Sequence, residues 1–337
     1  MNKILKLISS IFITLLATFS ISKAEVKVVA SIKPIHSLVS YVMDGIGKPD
    51  VIVDGYNSPH GFSLKPSHAK MIENADLIIW VGENLEAFLE KPLNTIAKKA
   101  VNVEIMNLSG IKKLKFRENN IFEGHHDDHG HGHKEKKHDD HGHGHKEKKH
   151  DDHGHKKAKH DDHGHEGHAH GEHDPHVWLD PMNAKVIIKE IEKQLVKLDP
   201  DNSSKYKANS KKAQSELDNL TKNIKKDLKR NLRFVVFHDA YQYFEDRFGI
   251  KVLGALTVNP DVLPGAEQLS KIREVIEHEK VNCLFSEPQF NPAIIKSIAK
   301  DTKIRTGVLD PIGATLDKGK GMYSELLQSM YASFKGC

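Results

Sequence analysis

Four residues stand where an α/β chain presents chemistry. His60 falls in the turn segment Asn57-Ser58-Pro59-His60-Gly61, soon after a β-rich run at Val51–Asp54. His176 lies in Asp174-Pro175-His176-Val177-Trp178, where a low-complexity stretch gives way to patterned sequence. His238 directly follows the run Phe234–Phe237, and Asp310 directly follows Ile304–Leu309 and precedes Pro311. Open α/β sheets bind ligands in the crevice beyond the C-terminal ends of their strands. Two of the four residues come from each half of the chain, a placement that lets them converge in a cleft between lobes. Three imidazoles and a carboxylate are nitrogen and oxygen donors suited to Zn²⁺. A lone loop histidine is more often a surface or capping residue, so none of the four is diagnostic by itself. The other histidines outside the low-complexity stretch have simpler readings. His36 sits on the first helix, packed or paired with backbone; His68 opens a helix as a cap; His278 lies on a charged helical face.

The elements that must position these residues alternate in kind. Val28–Ile32, Val51–Asp54 and Leu77–Val81 are short β-rich runs, with helical stretches at Ile35–Met43, Ser67–Glu73 and Leu85–Ala97. That rhythm predicts a parallel sheet flanked by helices over residues 25–181. From 182 to 198 the apolar positions Val186, Ile187, Ile191, Leu195 and Leu198 keep helical spacing, and Pro200 breaks it. A second helix from Ser204 to Leu228 carries Tyr206, Ala213, Leu217, Leu220, Ile224 and Leu228 on one stripe. At 1.5 Å per residue it is about 37 Å long, enough for a stiff strut between two halves. Residues 182–231 are therefore the linking helices. Strands recur at Phe234–Phe237, Val252–Leu256, Val281–Phe285 and Ile304–Leu309, which makes 232–337 a second α/β lobe. The expected architecture is two Rossmann-like lobes joined by a long rigid helix, with the cleft between them.

Residues 123–175 differ in kind. The unit His-Asp-Asp-His-Gly-His begins at His126, His138, His150 and His160, with spacers rich in Lys, Glu and Gly. Of the 24 histidines, 18 fall between His125 and His173. Almost nothing apolar is present to offset chain entropy, so the segment reads as a disordered insertion. Its hexads supply His126, His129, His131, His138, His141, His143, His150, His153, His155, His160, His163 and His165 as secondary, weak metal donors. Each such site must order backbone before it binds, which argues for lower affinity than a preformed cleft.

Met1 to Lys6 is short and basic, Leu7 to Phe19 is apolar, and Ser22-Lys23-Ala24 offers small residues before a cut at Glu25. This three-part pattern predicts a cleavable secretory signal over residues 1–24. Its removal takes Lys3, Lys6 and Lys23 and leaves 47 basic against 46 acidic residues, so charge makes no case for nucleic acid. The two cysteines, Cys283 and Cys337, would meet an oxidising compartment, where a disulfide is the default.

The words around these histidines resemble a known family. Pro59-His60-Gly61-Phe62-Ser63-Leu64-Lys65-Pro66-Ser67 is similar to the first metal motif of the periplasmic zinc receptors, the ZnuA-like cluster of ABC-transporter binding proteins. Asp174 to Pro181 resembles the second motif, and Val236-Phe237-His238-Asp239-Ala240-Tyr241 with Phe244 the third. Glu287-Pro288-Gln289-Phe290 and Leu309-Asp310-Pro311-Ile312-Gly313 resemble the C-terminal pair. The resemblance runs in order through residues 26–337, and in that family a His-rich insertion also precedes the second metal histidine. It implies His60, His176 and His238 as zinc ligands with Asp310 as the fourth. Pro59 stands where some relatives carry a glutamate, which adds weight to Asp310. It also implies a disulfide between Cys283 and Cys337, Zn²⁺ as cargo, a periplasmic monomer, and the permease of an inner-membrane zinc ABC importer as partner.

Other readings are a manganese receptor of the same fold, a secreted zinc buffer whose insertion is the main site, and a secreted metallohydrolase. Manganese receptors resemble this pattern but carry a carboxylate at the third position, and a third imidazole favours zinc. The chain has no H-E-x-x-H helix and no G-x-S-x-G elbow, which counts against an enzyme.

Overall fold

A computed structural model describes residues 25–117, 119, 171–228, 232–260 and 262–337. The expected signal segment and all four histidine hexads lie outside these residues. The first lobe contains β1 (Val28–Ile32), α1 (Lys33–Val42), β2 (Asp50–Val53), α2 (Pro66–Asn74), β3 (Leu77–Trp80), α3 (Glu83–Thr95) and β4 (Val101–Glu104). Its four strands pair in parallel in the order β2-β1-β3-β4. The central strands β1 and β3 are buried along their whole length, which is why they read as unbroken apolar runs.

Two helices follow, α4 (Pro181–Leu198) and α5 (Ser203–Asp227). Asp180 accepts from the Met182 N–H at 2.8 Å and Pro181 takes the first turn, so the Asp-Pro pair starts α4 cleanly. α5 buries Tyr206, Ser210, Ala213, Leu217 and Ile224, a single stripe at helical spacing. Near its start, Asn209 Nδ2 donates to the Val42 and Asp44 carbonyls of the first lobe, both at 3.0 Å. At its end, Asp227 accepts from Lys335 Nζ at 2.6 Å in the last helix of the chain. The helix thus spans both halves, and it packs along α4 and α1 rather than standing clear as a strut.

The second lobe contains β5 (Arg233–His238), α6 (Gln242–Phe248), β6 (Lys251–Thr257), α7 (Ala266–His278), β7 (Cys283–Ser286), α8 (Ala293–Thr302), β8 (Arg305–Val308) and α9 (Met322–Lys335). Its parallel order, β6-β5-β7-β8, repeats that of the first lobe. Alternate residues of β5 face opposite ways: Phe234 and Val236 join the large core shared by both lobes, while Val235 and Phe237 pack beneath α7 and α8. Cys283 and Cys337 are disulfide-bonded, tying β7 to the residue beyond α9. Among the described residues, no helix is long and apolar enough to cross a membrane.

Two boundaries differ from the sequence reading. Strand β4 was not expected, because Val101-Asn102-Val103-Glu104 is an edge strand of mixed polarity. The insertion was expected to run to residue 175, yet 171–175 are described, and there Lys115 pairs with His173 in an antiparallel bridge. Asp174 is fully buried, its N–H donating to Leu114 O at 2.9 Å. Polar composition hid this turn because its backbone bonds, not apolar side chains, hold it.

Candidate metal centre

His60 is carried by the loop after β2, where Gly55 (φ 67°) adopts the left-handed conformation that starts the turn. The His60 N–H donates to Ser58 Oγ at 3.3 Å. His176 is set by its own neighbour: Asp174 Oδ1 accepts from the His176 backbone N–H at 2.9 Å and lies 2.7 Å from His176 Nδ1. His238 is the last residue of β5, at the point in the second sheet where chain connections diverge toward β6 and β7. Its Nδ1 lies 2.7 Å from Glu287 Oε1, which also accepts from Tyr241 OH at 3.0 Å.

The three rings converge. Their centroids are 5.5 Å (His60–His176), 5.6 Å (His60–His238) and 5.3 Å (His176–His238) apart. One nitrogen from each ring falls within 4.8 Å of the others, and among the described residues they form the one such cluster of three or more metal-type donors. His176 Nε2 and His238 Nε2 are 3.4 Å apart. With both Nδ1 atoms beside carboxylates, the tautomer that donates to them turns each Nε2 lone pair toward the other. Two imidazoles bound tetrahedrally to zinc at its usual Zn–N length place their nitrogens about 3.3 Å apart, which matches this spacing.

The surroundings are dry. His176 and His238 are 2 % and 3 % exposed, while His60 is half-buried and faces the opening. Trp178 packs 5.3 Å from the His176 ring and Phe290 6.1 Å from that of His238. The cavity against the rings measures about 10 Å³, whereas the open recess beside His60 measures about 370 Å³. The inner space suits a single ion, not an organic ligand. Burial, with a contribution from His238, holds His176 well below the ordinary imidazole range. Burial pulls His238 the same way, but the charge and hydrogen bond of Glu287 outweigh it and raise its pKa. Burial pushes Asp174 up to about 7 against the opposing pull of the His176 N–H and Arg117.

Asp310 stands apart from the cluster of three. It is 8 % exposed, its Oδ1 accepts from Gln289 Nε2 at 2.8 Å, and its Oδ2 accepts from Thr315 N and Oγ1 at 3.1 and 3.2 Å. The histidines read as structural behave so: His36 Nε2 pairs with Pro49 O, His68 Nδ1 accepts from the Lys65 N–H at the start of α2, and His278 is exposed. The roles of Asp174 and Glu287 were not read from sequence. The Asp174-Pro175-His176 spacing offered a signal for the first, whereas Glu287 lies 49 residues from His238 and only the fold unites them. Arg117 was missed as well: it crosses between lobes to Asp239 Oδ1 at 2.9 Å and to Glu245 Oε2 at 3.0 Å.

Two parallel-sheet lobes of one strand order, closed on an ion-sized nest of imidazoles, define a two-lobed solute-binding protein. Solved structures share that fold: a crystal structure of ZnuA superposes with a TM-score of 0.70 at 22 % identity, over 93 % of this chain and 99 % of that one. The Pseudomonas aeruginosa protein FpvC in complex with Mn²⁺ gives 0.69 at 18 %, over 92 % and 97 %. Sequence is more specific. The chain is 48 % identical over 312 residues to the high-affinity zinc uptake system protein ZnuA of Brucella abortus, covering 92 % of this chain and 91 % of that one. It is 42 % identical over 344 residues to the protein of that name from Haemophilus influenzae, covering 100 % and 99 %. The chain belongs to the ZnuA family, zinc-uptake complex component A, periplasmic, whose pattern it matches over residues 28–337.

Proposed function

We propose that this protein is the periplasmic receptor of a zinc importer: it captures Zn²⁺ between its lobes and surrenders it to an ABC-type permease in the inner membrane. His60, His176 and His238 are the ligands. Asp310 is the fourth donor, reached by exchanging the Gln289 amide on Oδ1 for the ion. The observation that carries the reading is the 3.4 Å separation of the His176 and His238 Nε2 atoms, each ring having its Nδ1 beside a buried carboxylate. A four-donor closed site leaves no coordinated water to activate, which fits delivery rather than catalysis. Residues 1–24 are the cleaved export signal, the receptor acts as a monomer, and the histidine hexads bind further zinc weakly.

Zinc titration of the purified protein and of His60→Ala, His176→Ala, His238→Ala and Asp310→Asn tests this. Each histidine variant should lose the tight equivalent, and Asp310→Asn should weaken it by a smaller factor. Retention of the tight equivalent in any two of the histidine variants would refute the assignment.

A further inference from the structure

Lys33 is a lysine in a place that ordinarily rejects one. It opens α1 directly after β1 and is only 3 % exposed. Its ammonium crosses the lobe boundary and donates to Ala314 O at 3.3 Å and Leu316 O at 2.5 Å. Thr315, the residue between those two carbonyls, is the one that holds Asp310 Oδ2 through both its N–H and its hydroxyl. The segment is turned by Gly313 (φ 66°), where an added Cβ would come within 2.1 Å of Met322 Cε. The first lobe grips the same loop at two more points. Trp178 Nε1 donates to Pro311 O at 2.8 Å, and Lys318 Nζ pairs with Asp54 Oδ2 at 2.9 Å. Asp54 starts the loop that carries His60. A buried ammonium is tolerated only where acceptors and counter-charges meet it, and Asp54, Asp310 and Asp317 oppose the effect of its burial.

We propose that Lys33 is a positioning residue for the metal centre: by gripping the carbonyls on both sides of Thr315 from the opposite lobe, it fixes the orientation of Asp310. The inference rests on the reading of Asp310 as fourth donor. Lys33 never touches the ion. It anchors the loop that holds Oδ2, so that Oδ1 is the oxygen that turns from Gln289 to the metal. Because the donor and its anchor belong to different lobes, presentation of the carboxylate is tied to lobe contact. Drawing the loop off Lys33 releases the carbonyls on either side of Thr315 and with them the grip on Asp310 Oδ2.

Four proteins test this: the wild type, Asp310→Asn, Lys33→Met and the double variant. Each is measured by competition titration with Zn²⁺ and by the visible absorption of bound Co²⁺, whose intensity follows coordination number and geometry. Lys33→Met should weaken zinc by roughly tenfold, the lower end of what outer partners of a metal ligand contribute, and Asp310→Asn by at least as much. They should change the Co²⁺ spectrum in the same way, and the double variant should be no weaker than Asp310→Asn. If Asp310→Asn weakens zinc but Lys33→Met leaves affinity and spectrum unchanged, or the two losses add, Lys33 acts through packing alone and the proposal fails. If Asp310→Asn itself changes nothing, Asp310 is not a ligand and both readings fall together. Should Lys33→Met not fold, Thr315→Val removes one bond to Asp310 without touching the lobe contact. It should shift the Co²⁺ spectrum in the same direction, and an unchanged spectrum would overturn the proposal.

Discussion

His238 carries a different burden from His176, although both rings are buried and both face a carboxylate. Glu287 raises the pKa of His238, while burial depresses that of His176. Metal binding needs both neutral. His176 is already so at neutral pH, and His238 must give up a proton from a range above the ordinary 6.5. Zinc affinity at the proposed site should therefore begin to fall at a higher pH than an ordinary imidazole would impose, with proton release accompanying zinc binding as the pH is lowered. Calorimetry in buffers of different ionisation heat counts the released protons; a count that stays at zero as the pH is lowered from about 8 to about 6 would contradict the assignment. In the proposed site His238 also sets the metal preference. Replacing it by Glu should lower the zinc-to-manganese affinity ratio by exchanging an imidazole for a hard oxygen, although zinc stays ahead in absolute terms. The new carboxylate would face Glu287, so the comparison must be made at one fixed pH. His278→Glu, at an exposed position, should leave the ratio alone, and an unchanged ratio in His238→Glu would remove His238 from the ligand set. The convergence of the three histidines was legible because motif, and for His238 strand-end position, points to them. Their carboxylate partners were not, because hydrogen-bond partners follow from tertiary contact, which no local pattern encodes.

Element order was readable along most of the chain, since buried parallel strands and one-sided helices have distinct apolar periods. What escaped was β4 and the turn at 171–175, held by backbone pairing that leaves little apolar signature. The helices hold tuned groups of their own. Glu86, on α3, is fully buried, and its Oε2 accepts from the Val81 and Gly82 N–H groups at 2.8 and 3.1 Å. Burial lifts its pKa to about 7 from an ordinary 4.5. Between those values the folded chain holds a proton that the unfolded chain has lost. Stability from this group is thus present at low pH and declines as pH rises through about 7, by ~3 kcal/mol in full. Glu86→Gln keeps an acceptor without the charge and should flatten the melting temperature between about pH 5 and pH 8. A variant whose melting curve keeps the wild-type slope would discount the effect. The Cys283–Cys337 bond closes a sequence separation of 54. In the chain-entropy model it contributes ~4 kcal/mol, so a Cys283→Ser, Cys337→Ser pair should shift the denaturation midpoint down by an equivalent amount. Coincident denaturation curves would show that the second lobe does not depend on it.

At the scale of the molecule, one apolar core runs from β1 through α1, α4, α5 and α9 to β5, so the two lobes are packed as a unit. The insertion joins that unit at a narrow base, where Lys115 pairs with His173 and Arg117 reaches Asp239 and Glu245. Removal of residues 121–170 should leave one tight zinc equivalent and abolish the weaker ones. Extending the deletion through Asp174 should weaken the tight site by roughly 10–100-fold, because His176 loses the acceptor for its Nδ1. Isothermal titration distinguishes the two deletions, and equal affinities would show that Asp174 does not orient His176. The repeated strand order has a consequence beyond this one ligand. His60, His176 and Asp310 lie in connections and His238 at a strand's last residue, so the proposed donors stand at the ends of the regular elements and not within them. Selection can therefore exchange a donor without disturbing the architecture that presents it. A single codon change can thus offer the proposed site a different donor while the fold is kept, and the same fold is found in a manganese-bound neighbour at 18 % identity.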